Sequence, residues 1–396
     1  MQVSKRLKNI IGDGSDGWGV FYRARQMKAD GVPVVELTVG EHDIPTDPDI
    51  LQAMYRAGLD GHVGYQNFQG LPALREKIAD RVQRSTGAPT NPDQVLIVPG
   101  GQAGLFATHN LACDVGDTAL FIDPYYATYP GTIRSVGAIP KAITAKAENT
   151  FQPDAADIAA AAEEAGAVSL LINSPNNPTG VIYSQETMDG IARVCRDHDL
   201  WLISDEVYDT QVWDGTHLSP RALPDMAERT LVIGSMSKSH AMTGSRIGWV
   251  IAPEEAIGYM GDLATNTTYG VPGFIQMAAL HALNKGPDFE AEIAAPFRRR
   301  RDLVMGLLEG QNVVRAIPAE GAMYVMLDIR ATGMSGEAFA MALLEAHHVA
   351  VMPGESFGAA AAGHLRVALT VADDRLEAAL RQLLEFAAEH ARRAAE

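Results

Sequence analysis

The feature that most limits what this chain can fold into is a set of short, continuously apolar runs separated by helix-length segments. They are QVLIVPG at 94–100, TALFIDP at 118–124, VSLLINSP at 168–175, LWLISDE at 200–206 and TLVIGSMS at 230–237. None alternates apolar with polar residues, so each reads as a strand buried on both faces. Their separations suit crossover helices, which makes the sheet mostly parallel. The expected class is α/β: a large domain over 46–285 with a mostly parallel sheet flanked by helices. From 286 to 396 the texture changes to a smaller α+β domain, with a long helix in FEAEIAAPFRRRRDLVMGLLEG, a strand pair at AMYVMLDI and HLRVALTVA, and a terminal helix from Asp373. Residues 1–45 read as an N-terminal arm and part of the small domain, with an amphipathic helix over 15–31 opened by Ser15 or Asp16. FRRRR at 297–301 is expected to be a solvated helix face.

A chain of 396 residues exceeds the length at which single cores tend to split, in keeping with two domains. Its 32 Lys+Arg against 49 Asp+Glu leave a net charge of −17, which argues against a nucleic-acid partner. No stretch approaches the ~18 uninterrupted apolar residues of a membrane span, and the basic N-terminus is not followed by an apolar run, so neither membrane insertion nor export is expected. Cys113 and Cys195 supply neither a disulfide framework nor metal-ligand spacing; a reducing cytoplasm and no metal are expected.

The chemistry lies in what ends each strand. LLINSP runs into Asn176-Asn177-Pro178-Thr179-Gly180, LWLIS into Asp205-Glu206-Val207-Tyr208, and LVIGSMS into Lys238. Ligands of open α/β sheets sit outside the carboxyl ends of the strands, where these three landmarks would converge. Desolvation and cationic neighbours lower a lysine pKa and make the amine a nucleophile towards aldehydes. Ser235, Ser237, Lys238 and Arg246, within twelve residues, compose a pocket for an oxyanion, most simply a phosphate. Gly100-Gly101 before an apparent helix start offers further N–H donors to that anion. Asp205 at a buried strand end demands a cationic partner, either a protein arginine or a protonated ring nitrogen.

This constellation resembles the class I and II aminotransferases, fold type I pyridoxal-phosphate enzymes, from about residue 33 to 370. SMSKSHAMTGSRIGW is similar to the family's Ser-x-Ser-Lys and Gly-x-Arg-x-Gly, with NSPNNPTG and SDEVY in the expected order. The resemblance implies the cofactor pyridoxal 5′-phosphate, with Lys238 as the Schiff-base lysine and proton shuttle. It implies that Ser235, Ser237, Arg246 and the backbone amides of Gln102 and Ala103 after Gly101 hold the phosphate. Asp205 would keep the ring nitrogen protonated, Asn177 and Tyr208 would hydrogen-bond the ring 3′ oxygen, and Tyr126 would stack on the ring. Arg366 would clamp the substrate α-carboxylate, with Gly40 lining the same pocket. Tyr65 would reach the phosphate of a neighbouring subunit, which implies a homodimer with active sites at its interface.

Departures from the family pattern bear on specificity. Gly40-Glu41-His42-Asp43-Ile44 stands where many relatives read Gly-Glu-Pro-Asp-Phe, so His42 faces either substrate or solvent. The lysine that helps aspartate-specific relatives read a distal carboxylate is missing from Gly101-Gln102-Ala103, and no basic residue occurs in DLATNTTYGVPGFI. The reading is therefore a ping-pong aminotransferase acting on an amino acid with a neutral side chain and a 2-oxo acid. The alternatives are a pyridoxal-phosphate β-lyase, which Val207-Tyr208 after Asp-Glu disfavours, and a non-catalytic cofactor-binding module, which the absence of a DNA-binding segment and the net charge disfavour.

Overall fold

The computed structural model describes residues 1–12 and 17–395. Its strands are β1 (Val35–Leu37), β2 (Val95–Val98), β3 (Thr118–Asp123), β4 (Ile139–Thr144), β5 (Ala167–Asn173), β6 (Trp201–Asp205), β7 (Thr230–Ser235), β8 (Gly248–Ile251), β9 (Arg315–Ala316), β10 (Tyr324–Asp328), β11 (Val349–Pro353) and β12 (His364–Ala368). Among the described residues, β2 to β8 form a seven-stranded sheet in the order β2-β8-β7-β6-β5-β3-β4. All its pairs are parallel except those of β8, which runs antiparallel to β2 and β7.

The five apolar runs are five of that sheet's seven strands, the edge strand β2 and the interior strands β3, β5, β6 and β7, buried along nearly their whole length. The apolar-run criterion passes over β4 and β8. β4 is an edge strand, and an edge tolerates the Pro140 and Lys141 that break its apolar pattern. β8 is only four residues long and follows the polar Thr243–Arg246 turn without a crossover helix.

The connections leaving β3 and β5 diverge, because β4 lies on one side of β3 and β5 on the other. This order reversal opens a crevice at the strands' carboxyl ends. Helix ends follow local chemistry: Asp47 caps the amide of Asp49 with Pro48 in the first turn of Pro48–Leu59, and Ser184 caps Thr187 in Gln185–Asp197.

The second sheet has the order β1-β11-β12-β10-β9, so β1, far upstream in sequence, joins the C-terminal strands by parallel pairing with β11. The expected strand pair is β10 with β12, antiparallel, and Arg366 on β12 lies opposite Met326. Helix Asp373–Ala395 covers this sheet with Leu376, Leu380 and Leu383, all fully buried.

Two expectations need correction. The N-terminal helix is Gly19–Ala29, with Val20, Ala24 and Met27 inward; its expected openers Ser15 and Asp16 lie outside the described residues. The basic run on helix Pro287–Leu308 is not a uniformly solvated face. Arg300 is 5% exposed and binds Asp43 at 2.6 Å and Asp373 at 2.9 Å, while Arg299 on the same helix is exposed and also binds Asp373. Arg300 turns inward because two carboxylates and the Leu369 carbonyl replace its hydration. Among the described residues no helix is long and apolar enough to cross a membrane, and no group of acidic, His or Cys side chains could hold a metal.

Candidate active site

The carboxyl ends of β3, β5, β6 and β7 and the β1-proximal loop enclose a cavity of about 230 Å³. It is lined by Gly40, Gly101, Gln102, Tyr126, Asn177, Asp205, Tyr208, Ser235, Ser237, Lys238, Arg246 and Arg366. Of the residues singled out in the sequence, Ala103 lies in the wall of a neighbouring cavity of about 920 Å³. Tyr65 is elsewhere, 87% exposed, its ring 5.5 Å from that of Tyr269.

β7 ends at Ser235, whose hydroxyl accepts from the Ser237 amide at 3.1 Å and caps the single turn Met236–Ser239. That turn brings Lys238 into the cavity, where its ammonium donates to the Gly40 carbonyl and has no carboxylate within ion-pair reach among the described residues. Burial, with help from Arg366 and Arg246 and against the pull of Glu41, lowers its pKa to about 8. Such an amine deprotonates far more readily than an ordinary lysine, and its neutral fraction is available as a nucleophile.

Asp205 ends β6 and is 5% exposed. One oxygen accepts from the Tyr129 hydroxyl at 2.8 Å and the other from the Val207 amide at 3.3 Å. No cation pairs with it among the described residues, and burial pushes its pKa up to about 6. Asn173, its register partner on β5, donates to the Asp205 carbonyl at 2.8 Å and accepts from the Asn177 amide at 2.7 Å. The pairing of two strands thus sets the start of the Asn177 loop.

Arg366, 2% exposed, donates to Asn177 Oδ1 at 2.8 Å and to the Thr38 carbonyl, while its Nε has no partner. The rings of Tyr324 and Phe357 flank the guanidinium, with centroids 4.4 and 4.3 Å from its Cζ. All these contacts are to neutral groups, so this buried cation too lacks a counter-charge among the described residues.

Opposite them is an anion cup. Arg246 takes a left-handed backbone (φ 49°), which brings its guanidinium over Gly100; a Cβ there would lie 2.4 Å from Nη2. The helix Gly101–Ala112 starts at this point, and its first amides lack intrahelical acceptors. The Ala103 amide already donates to the Gly100 carbonyl at 3.1 Å, which leaves that of Gln102 as the more available donor. The Gln102 side chain is engaged with Thr128 and Thr132.

His42 is not part of the Lys238 cavity's lining; it is half-buried in the wall of a separate pocket with Glu41 and Arg375. Both ring nitrogens are buried without partners, and the ring stands edge-on to Phe297 at 5.1 Å. Burial, reinforced by Lys238, lowers its pKa to about 4, so it is neutral.

An amine of lowered pKa, a carboxylate and a guanidinium each without an ion-pair partner among the described residues, and an anion cup share one cavity. The fit is to a phosphorylated pyridine aldehyde together with a carboxylate-bearing substrate. A protonated ring nitrogen would answer Asp205, a phosphate the Arg246 cup, and a substrate carboxylate Arg366.

Comparison with known proteins agrees. Residues 32–383 match the family aminotransferase class I and II. The chain belongs to the class I and II aminotransferases. It is 40% identical over 390 residues to an arginine–pyruvate transaminase of Pseudomonas aeruginosa, covering 98% of this chain and 99% of that one. To the aspartate/prephenate aminotransferase of Thermus thermophilus it is 35% identical over 364 residues, covering 90% and 92%. The solved aspartate aminotransferase of Thermus thermophilus with maleate superposes with a TM-score of 0.90 at 32% identity, covering 98% of this chain and all of that one. This aminotransferase therefore uses pyridoxal 5′-phosphate, as its family does.

Sequence reasoning did not find Tyr129, Asn173 or Tyr324. Tyr129 and Asn173 sit in DPYYATYP and LLINSP, beside the more conspicuous Tyr126 and Asn177. Tyr324 lies in an apparently ordinary strand, AMYVMLDI.

Proposed function

We propose that this aminotransferase moves the amino group of an amino acid with a neutral side chain to a 2-oxo acid, in a ping-pong cycle. The bound cofactor supplies an electron sink for the carbanion formed at the substrate α-carbon; the chain's own residues do the rest. Lys238 holds the cofactor aldehyde between turnovers and, once displaced, carries the proton to and from the α-carbon. Its lowered pKa supports both duties. Asp205 holds a proton on the ring nitrogen, with Tyr129 and the Val207 amide orienting its carboxylate. Asn177 and Tyr208 donate to the ring oxygen, and Tyr126 covers the ring face. Ser235, Ser237, Arg246 and the helix terminus after Gly101, through the amides of Gln102 and Ala103, hold the phosphate. Arg366 binds the α-carboxylate beside Gly40.

The observation that carries the choice of donor is the charge of the wall. Among the described residues lining the cavity, the cations are Lys238, Arg246 and Arg366 and the one carboxylate is Asp205, each with a duty already named. Among the described residues of this wall, none is left over for a distal carboxylate or a distal guanidinium. Arg23 and Arg25 are bound on the surface to Glu345 and Glu36. Arg134 stands in the neighbouring cavity, donating to the Ile10 carbonyl. The test is a half-reaction screen, following the bound cofactor's absorbance with leucine, methionine, phenylalanine, alanine, aspartate and arginine. A kcat/KM for aspartate or arginine tenfold above every neutral donor overturns the reading.

The same reading includes a two-fold dimer. Tyr65 stands exposed against the exposed ring of Tyr269, and Leu59 and Val63, a few residues upstream, are exposed as well, which suits a second copy of the chain. Light scattering at micromolar concentration decides it: a fully active monomer is the contrary result.

A further inference from the structure

We propose that Tyr324 is a positioning residue that ties the ring-oxygen side of the site to the carboxylate clamp: its hydroxyl orients Tyr208 and its ring holds Arg366. The proposal rests on the assignment of Tyr208 and Arg366 above.

Tyr324 opens β10, opposite Ala368, and is 2% exposed. Its hydroxyl lies 3.0 Å from that of Tyr208, and both side chains reach the cavity. Two hydroxyls sharing one hydrogen bond have only two arrangements. If Tyr208 gives its proton to an oxygen in the cavity, Tyr324 must be the donor between them, and its proton is then fully used. A Tyr208 hydroxyl that accepts this bond is also a stronger donor, because hydrogen bonds in a chain polarise one another.

The room for that hydroxyl is made by Gly40. A Cβ at this position would lie 1.8 Å from Tyr324 Oη, so any larger residue at 40 expels the phenol. Gly40 also accepts from Lys238 through its carbonyl, so one short segment contacts both the amine and Tyr324. On the other side, the Tyr324 carbonyl would lie 2.9 Å from a Cβ at Gly180 in the Asn177 loop, which ends in a left-handed glycine (φ 75°). The Tyr324 ring, finally, lies 4.4 Å from Arg366 Cζ. A desolvated guanidinium with no carboxylate gains from such a contact, and the ring restricts the directions its free Nε can take.

Two substitutions separate the two duties. Tyr324→Phe keeps the ring and removes the hydroxyl. The expected result is an upward shift of at least 0.3 unit in the pH midpoint of the bound cofactor's absorbance change, since a weakened Tyr208 leaves the ring oxygen more basic. The KM for the donor amino acid and the inhibition constant of propionate, a bare carboxylate probe, stay within twofold. Tyr324→Leu removes both functions, so the same midpoint shift is joined by a rise of fivefold or more in both constants. Melting temperature confirms that each variant folds. An unmoved midpoint in Tyr324→Phe, or an unmoved propionate constant in Tyr324→Leu, overturns the proposal. The underlying assignment fails by a different route: Tyr208→Phe leaving the midpoint unmoved, or Arg366→Leu leaving the propionate constant unmoved, neither of which the Tyr324 variants measure.

Discussion

The hydroxyl of Tyr129 meets Asp205 Oδ2 at 2.8 Å, in a position where a buried carboxylate would ordinarily have a cation. A neutral donor orients the carboxylate but does not cancel its charge. Before cofactor binds, the protein bears a cost of folding at Asp205, and the same cost becomes attraction for a protonated ring nitrogen.

That cost has a measurable pH dependence. The folded pKa of about 6 lies above the ordinary 3.8, so ionisation of Asp205 opposes folding. The penalty is absent below about pH 4, where both states are protonated, grows between 4 and 6, and is complete above; two units correspond to about 3 kcal/mol at most. Cofactor-free Asp205→Asn should therefore melt higher than the cofactor-free parent at pH 8, and the gap should close at pH 4. With cofactor present the variant should lose turnover by orders of magnitude. Calorimetry of the two apoproteins at both pH values checks the sign.

Lys238 titrates in the opposite sense. With a pKa of about 8, roughly a tenth of the amine is neutral at pH 7 and about nine tenths at pH 9. The rate at which apoprotein captures pyridoxal phosphate should rise through pH 8 and level off above it. Borohydride should then fix the cofactor at position 238. Lys238→Ala should bind it only reversibly and turn over several orders of magnitude more slowly. A flat pH profile for capture contradicts the depressed pKa.

Away from the cavity, Arg81 is the most consequential charge. It pairs with Asp209 at 2.7 Å and Glu290 at 2.8 Å, joining the Asp205–Tyr208 segment to helices Pro72–Thr86 and Pro287–Leu308. Both carboxylates hold its pKa above the usual arginine value in spite of burial. Arg81→Leu strands two acids in the interior and should cost about 3–5 kcal/mol, against little for Arg381→Leu on the exposed terminal helix. Urea denaturation of the two variants gives the comparison.

What the sequence made legible is what breaks a local pattern. Lys238 and Asp205 are conspicuous because an apolar run stops at a charge, and the central strands are conspicuous because both faces are buried. Tyr324 breaks nothing: a tyrosine is an ordinary strand residue, and its partners Gly40, Tyr208 and Arg366 come from other elements brought together only by folding. The inward turn of Arg300 is hidden in the sequence for the same reason, since Asp43 and Asp373 lie on distant segments. β1 is too short to announce itself, and it exists because β11 offers a parallel edge.

The donor reading can be tested by adding the charge it lacks. Gln102 borders both the Lys238 cavity and its larger neighbour, so a cation there would stand where the two communicate. Its amide is held by Thr128 at 3.0 Å and Thr132 at 2.7 Å, neither of which needs a charge to stay satisfied, so Gln102→Lys frees the side chain without stranding an ion. A fixed cation for a distal carboxylate is the element a dicarboxylate site requires. The variant should raise kcat/KM for aspartate tenfold or more and leave leucine within a few-fold of the parent. If the parent already handles aspartate as well as the variant does, a cation that the described wall does not contain is reading the distal group, and the neutral-donor proposal is wrong.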